Sequence, residues 1–467
     1  MDSCGRGPSA YTGARHPTWW YLSELPQGRN AARVGELFQV RGVSLFLVPR
    51  EVGAVVPRHA AAAHPPRVAL ARNAVLTAFA LAGAAFAGFA SRVPDIKHAL
   101  DLSAGQLGVT LLALSAGSVV GLPLSGWLVH RFGAARAVLG AGLVQAAGLL
   151  LVGAGVSVLG SRPVVMAALF VTGLGVGVFD VGINLEGASV ERLLARSVMP
   201  HFHAMFSGGT VLSALLGALL SGLHVPVGVH LAGVALLLGA VTPWFLRSFL
   251  PRTAEHPDRE HDLHDRKDTD SPRTGSAGIG AAWREPRTLL IGVVVLAAAF
   301  TEGTANDWVA VAFSDGYHLP RWAGVLGFAV FLTFMTLGRV LGTRLLDTHG
   351  RVPVLRILFL SAVAGCLLVV FGGPVLAFVG AAIWGVGASL GFPVGMSAAA
   401  DDPGRAAARM SVVSTIGYGA FLGGPPLLGF LGDHVGVLHS LLAVGAMAAV
   451  ALLVIPAVGR SRADASG

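Results

Sequence analysis

Runs of about 20 apolar residues recur along this chain, and nothing else in it limits the possible folds so strongly. Each run is long enough to cross roughly 30 Å of hydrocarbon as a helix. About twelve can be read, near 70–90, 105–128, 135–157, 163–185, 204–223, 226–248, 288–313, 322–345, 352–371, 374–397, 410–431 and 436–457. Of the 467 residues 54% are hydrophobic and only 12% are charged, whereas about a quarter of a soluble domain is charged. Mean hydropathy is +0.69. Such a chain cannot hide its apolar surface in water. The expected class is an all-α membrane protein whose solvent is the lipid bilayer.

The net charge of +8 is almost all arginine, since Lys97 and Lys267 are the lysines. In a soluble protein that balance suggests nucleic acid. Here its distribution matters more, and no nucleic-acid partner is expected. If the first span runs outward, the inner loops collect Arg131, Arg136, Arg192, Arg196, Arg344, Arg351, Arg356, Arg405 and Arg409. The outer loops hold Arg92, Lys97, Arg162 and Arg321. By the positive-inside rule both termini then lie in the cytoplasm of a multi-pass protein of the cell membrane. Cys4 and Cys366 give no disulfide framework.

Two polar stretches divide the chain. Residues 1–66 carry scattered Pro, Gly and Arg without period, and are expected to be a disordered tail or to precede the true translation start. Residues 249–286 mix His256, His261 and His264 with acids of no standard ligand spacing, so a solvated linker is expected and no metal site. It separates six spans (67–248) from six more (287–459), with a tail at 460–467. The halves look duplicated. Gly126-Trp-Leu-Val-His130-Arg131-Phe-Gly133 follows the second span, and Leu346-Asp347-Thr348-His349-Gly350-Arg351 follows the eighth. Phe179-Asp180-Val-Gly182 corresponds in the same way to Phe392-Pro393-Val-Gly395. Duplicated units of this kind typically enclose a site at the bilayer midplane.

At these residues the chain resembles the major facilitator superfamily, from about Arg67 to Gly459. The loop after span two is similar to that family's G-x-L-x-D-R-x-G-R-[KR] signature, and the loop after span eight repeats its core. Gly173-Leu-Gly175-Val-Gly177-Val-Phe-Asp180-Val-Gly182-Ile-Asn184 resembles the fourth helix of fucose-permease-like members, which carry an acid four residues before Asn. Arg92-Val-Pro94-Asp95-Ile-Lys97 and Val190-Glu191-Arg192 resemble a bacterial branch of mostly uncharacterised permeases. His130 stands where the family has Asp, and Thr348 where it has Arg. The resemblance makes Gly126, His130, Arg131, Gly133, Asp347, Gly350 and Arg351 gating loops. The first latch is expected to be weaker, or pH-sensitive through an imidazole that titrates in the physiological range. A monomer is also implied.

Asp180 is the residue that most demands an explanation. A carboxylate inside a span costs roughly 2.5–3.5 kcal/mol on insertion scales, so it is rare unless used. Asn184, one turn on, shares its helix face and is expected in the polar lining beside it. Asp180 is expected to bind and release a proton, with a purely structural acid as the competing reading. Span seven carries Thr301-Glu302-Gly-Thr304-Ala-Asn306-Asp307-Trp308. There Glu302, Asn306 and Asp307 are expected to line a water-filled cavity, with Trp308 as an apolar platform or an interface anchor. Glu186, Glu191, Arg192 and Arg196 are expected to form ion pairs at the inner face, with His203 as a gate or headgroup contact. Glycines four apart, such as Gly117/Gly121, Gly173/Gly177 and Gly419/Gly423, are expected to bring helices together.

No phosphate-binding loop or hydrolase motif occurs, so neither an ATP-driven pump nor an enzyme is expected, and no cofactor. The expected function is secondary transport of a small solute by alternating access. The resemblance implies proton-coupled uptake of a sugar-like solute. Proton-antiport export of drugs or metabolites is the alternative, favoured by a cavity of Phe79, Phe86, Phe89 and Phe331. A non-transporting membrane sensor is the more distant one.

Overall fold

In hydrocarbon every backbone N–H and C=O must be satisfied within the spanning segment, so a chain with these runs crosses as helices. The computed structural model describes residues 65–251, 276–402 and 404–459. The first half comprises α1 (Pro65–Ala90), the short α2 (Val93–Ala99), α3 (Ala104–Phe132), α4 (Ala134–Ser157), α5 (Arg162–Leu194), α6 (Met199–Gly222) and α7 (Val227–Leu246). After α8 (Ser276–Ala282), the second half comprises α9 (Pro286–Val311), which ends in a π-helical turn at Ala312–Gly316. Then come α10 (Arg321–His349), α11 (Arg351–Phe371), α12 (Gly373–Ala388), α13 (Gly391–Ala399), α14 (Ala406–Val435), α15 (Val437–Ser440) and α16 (Leu442–Val454). Proline opens α2, α5, α6 and α9, where its missing N–H costs no hydrogen bond.

Eleven helical stretches among the described residues are long and apolar enough to cross a membrane. The 30-residue α14 is long enough but falls outside that set on composition, because glycines and Pro425–Pro426 interrupt its apolar run. It still packs along α9 and α3, in the place of a twelfth span.

The same neighbour pattern occurs twice. In the first half α3 packs on α5, α4 on α5 and α7, and α1 on α6. In the second half α10 packs on α12, α11 on α12 and α16, and α9 on α14. The halves meet through α3 on α14 and α6 on α10, a pairing that is itself symmetric. The result is an all-α protein of two pseudo-symmetric six-helix bundles.

Glycine sets how closely the helices approach. A methyl on Gly121 of α3 would stand 2.7 Å from the Leu174 carbonyl oxygen of α5, and one on Gly365 of α11 would stand 2.7 Å from that of Gly380. Gly419 and Gly423 depart from the expectation: the first would meet only a Leu296 methyl at 3.9 Å, and the second open space. Gly133 and Gly350 do a different job. Each ends a helix at positive φ, 84° and 78°, while its N–H still bonds four residues back. Only glycine adopts that backbone without strain, so the two loop motifs turn the chain in the same way.

The expected linker is shorter at both ends than its composition suggested. Phe249 and Leu250 are buried, and α8 packs on α14. Residues 252–275, with the three histidines, lie outside the described residues, as do 1–64 and 460–467.

Candidate functional site

The two halves are sealed against each other at the end carrying α2 and the α9–α10 turn. There α3 and α14 touch backbone to backbone: a methyl on Gly108 would stand 3.0 Å from the Pro425 carbonyl carbon. Ser103 caps α3 through a reciprocal box with Gln106, and its hydroxyl donates to Asp433 across the seam at 3.1 Å. Lys97 pairs with Asp315 at 2.8 Å, the π turn carrying that acid towards α2. Arg321 pairs with Asp95 at 2.7 Å. Asp95 also pairs with Arg92 at 3.1 Å and accepts from the Ser221 hydroxyl at 3.1 Å. Arg92, only 1% exposed, donates besides to the Val225 carbonyl. Lys97 and Arg321, outer-loop charges by their position in the sequence, thus hold a seam between the halves.

Beyond the seam the halves part around a cavity of about 260 Å³. Asp180 of α5 is open to it. One Asp180 oxygen accepts from the Asn184 amide at 3.2 Å, and the same amide donates to the Asp180 carbonyl at 2.9 Å. Asn184 therefore orients Asp180 without lining the cavity. From the other half α9 presents Gly303, Asn306 and Asp307, one turn apart on one face. The Phe421 ring lies against Gly303, where a methyl would meet it at 3.1 Å. Tyr418 lines the cavity beside it, as do Phe86, Phe89 and Gln145 of the first half.

Besides Asn184, two further residues expected in the lining are elsewhere. Trp308 is fully buried in the second half, neither platform nor interface anchor, and its indole N–H finds no partner among the described residues. It sits on the side of α9 away from Gly303, which is the face that opens to the cavity. Glu302 turns instead towards α10, where both its oxygens accept from Arg339 at 2.8 Å. Arg339 also donates to the Ser389 carbonyl, at the break between α12 and α13. Sequence reading passed over Arg339, although a lone arginine inside an apolar run calls for an intramembrane partner. On α6 the His203 ring, expected as a gate or headgroup contact, meets Phe79 edge-on at 5.1 Å.

At the other end the loop residues take different partners from those expected. Glu191 accepts the N–H groups of Val198 and Met199, at 2.7 Å each, so it caps α6. Arg192 donates to the Ser189 hydroxyl. Neither makes an ion pair among the described residues: a helix start leaves N–H groups that attract a nearby carboxylate more locally than an arginine can. Glu186 is buried and accepts the Leu250 N–H at 2.6 Å. His130 and Arg131 are exposed, the latter over the Phe132 ring. Arg351 pairs not with Asp347, which is exposed, but with Asp401 at 2.7 Å and with the Ser397 hydroxyl. Arg287 shares Asp401 at 3.0 Å.

Glu285, just before α9, accepts from Arg409 and from the Thr288 hydroxyl. The Arg409 hydrogen bond above all holds its carboxyl below the ordinary range. A depressed acid stabilises the fold above its unfolded value of about 4.3 and loses that contribution as pH falls through the folded value. Glu285→Gln is therefore expected to melt a few degrees below wild type at pH 7, the difference closing below about pH 4. Thermal melts across pH check it; a gap unchanged at acid pH would contradict the pairing.

The Major Facilitator Superfamily sequence profile matches residues 75–425. An uncharacterised transporter of Sinorhizobium fredii is 30% identical over 387 residues, covering 82% of this chain and 96% of that protein. The crystal structure of the nucleoside transporter NupG superposes with a TM-score of 0.64 at 14% identity, over 85% of this chain and all of that one. A crystal structure of the E. coli fucose:proton symporter FucP does so with a TM-score of 0.56 at 15% identity, over 84% and 98%. With a duplicated helix pattern, a cavity at the seam and a matching profile over most of its length, the chain belongs to the major facilitator superfamily of transporters.

Proposed function

We propose that this transporter carries a small polar solute through the central cavity by alternating access, coupled to protons through Asp180. The observation that carries the proposal is the cavity itself, closed off at one end by the seam and given one carboxylate by each half. A rocking motion that changes the distance between Asp180 and Asp307 changes their mutual repulsion, and a proton taken up on either one relieves it. With the arginine-rich loops placed inside, the sealed end faces out. A sugar-like solute, taken up with protons, is supported by the names of the fold relatives, a fucose:proton symporter and a nucleoside transporter. Export in exchange for protons is supported by a different observation, the Phe86 and Phe89 rings in the lining, joined by Phe421, whereas Phe79 and Phe331 are buried away from it.

Reciprocal motion of the two ends is the test. Spin labels at His98→Cys and His434→Cys report on the sealed end, and labels at Trp127→Cys and Leu345→Cys on the other, with Cys4 and Cys366 replaced by Ser. One distance is expected to lengthen as the other shortens between pH 7.5 and 5.5. Two distances that stay fixed, with and without solutes, would favour a non-transporting protein.

A further inference from the structure

The lining of the cavity sorts hydrogen-bond acceptors from donors unevenly. Two of its hydroxyls are already committed to backbone: Ser118 donates to the Gly173 carbonyl at 3.2 Å and Thr172 to that of Ala168 at 2.8 Å. Ser115, Gln145, Tyr418 and the amide nitrogen of Asn306 are the donors left. Against them stand the second oxygen of Asp180 and both oxygens of Asp307, two carboxylates, while Oδ1 of Asn306 is buried behind the lining. No Lys, Arg or His is among the described residues that line the cavity. The nearby Arg339 is held in two hydrogen bonds by Glu302.

A neutral polyol arriving there finds acceptors in surplus and leaves carboxylate charge uncompensated, which is costly away from bulk water. A cation with several N–H groups answers both deficits. The aromatic rings add to this, because Phe86, Phe89, Tyr418 and Phe421 present faces that attract a cation. Phe421 lies directly on Gly303, one turn from Asp307, so carboxylate and ring stand next to each other.

We infer that the transported solute carries an ammonium group, seated between Asp180 and Asp307 with its carbon body against the aromatic rings. The inference rests on the reading of this cavity as the transport site, and it narrows the substrate class from small polar solutes to amines. It also explains why the halves contribute one acid each: an ammonium bridging them draws the halves together around the solute.

Matched pairs of probes test it. Binding of glucosamine against glucose, and of benzylamine against benzyl alcohol, is titrated by thermal shift on the purified full chain, at a pH where both amines are cations. In at least one pair the amine is expected to bind tighter than its neutral partner by about tenfold or more, the size of a hydrogen bond to a charged group. Asp307→Asn is expected to bring that preference close to one while melting cooperatively without probe; should it fail to fold, Asp180→Asn carries the same comparison. Equal binding within both pairs, or no binding by either amine, overturns the assignment. The label distances at the two ends do not depend on these probes, so failure here leaves alternating access standing, and fixed distances leave the amine preference standing.

Discussion

Asp180→Asn is expected to abolish the concentration ratio that a pH difference sustains across a reconstituted membrane, while exchange of solute across that membrane continues. A difference of one pH unit is worth about 1.4 kcal/mol per proton, so one coupled proton supports a solute ratio of about tenfold. An amide has the shape of the acid and no titrating proton, so the ratio should fall to one. Glucosamine is a suitable probe, because its hydroxyls slow leakage through lipid, and protein-free vesicles supply the baseline. Asn184 should keep the replaced side chain in place, since its amide also donates to the backbone carbonyl of residue 180. Retention of the tenfold ratio would move the proton to Asp307, the other carboxylate in the cavity.

Asp95→Asn should produce the largest structural effect at the sealed end. Asp95 pairs with Arg92 and Arg321 and accepts from Ser221 at once. Arg92 is 1% exposed, and removing the charge leaves that guanidinium buried against a neutral amide and the Val225 carbonyl. Breaking a buried pair from one side costs roughly 3–5 kcal/mol. The Arg321 contact adds little, because Arg321 is 39% exposed and solvent screens it. Lys97–Asp315 is of the same exposed kind, so Asp315→Asn should cost no more than about 1 kcal/mol. Thermal melts of the two variants separate the cases. A drop of several degrees for Asp95→Asn and almost none for Asp315→Asn is the expected outcome. Equal drops would mean that the cross-seam pairs, and not the buried Arg92, hold this end.

The bundle was legible in the sequence because each span reports on itself. Length and apolarity suffice to mark a helix that crosses a membrane, and the paired loops at Gly133 and Gly350 reveal the duplication. Helix ends were less legible: α5 continues to Leu194, well past the apolar run, because Glu186 and Glu191 find backbone N–H partners there. The cavity was half legible. Asp180 and Asp307 stand out as acids in apolar helices, and the cavity contains both. Spacing along one helix, however, does not say which face meets the partner. Glu302 and Asn306 share a helix face by spacing, yet one meets Arg339 and the other the cavity. Tyr418, Phe421 and Gln145 carry no local mark at all. They matter because α14 and α4 happen to turn those faces inward, and that depends on packing across the whole bundle. The sealed end was illegible for the same reason, since Asp95 and Arg321 lie in separate halves and meet only once both are folded.

Internal pH, read from a trapped dye when glucosamine is added to vesicles of wild-type protein and of Asp180→Asn, tests proton-coupled transport most directly. Wild type should move protons in step with the solute, in one direction only, and Asp180→Asn should move solute with no pH change. Solute entry into wild-type vesicles at constant internal pH would contradict the coupling, and protons moving equally in both proteins would contradict the role of Asp180.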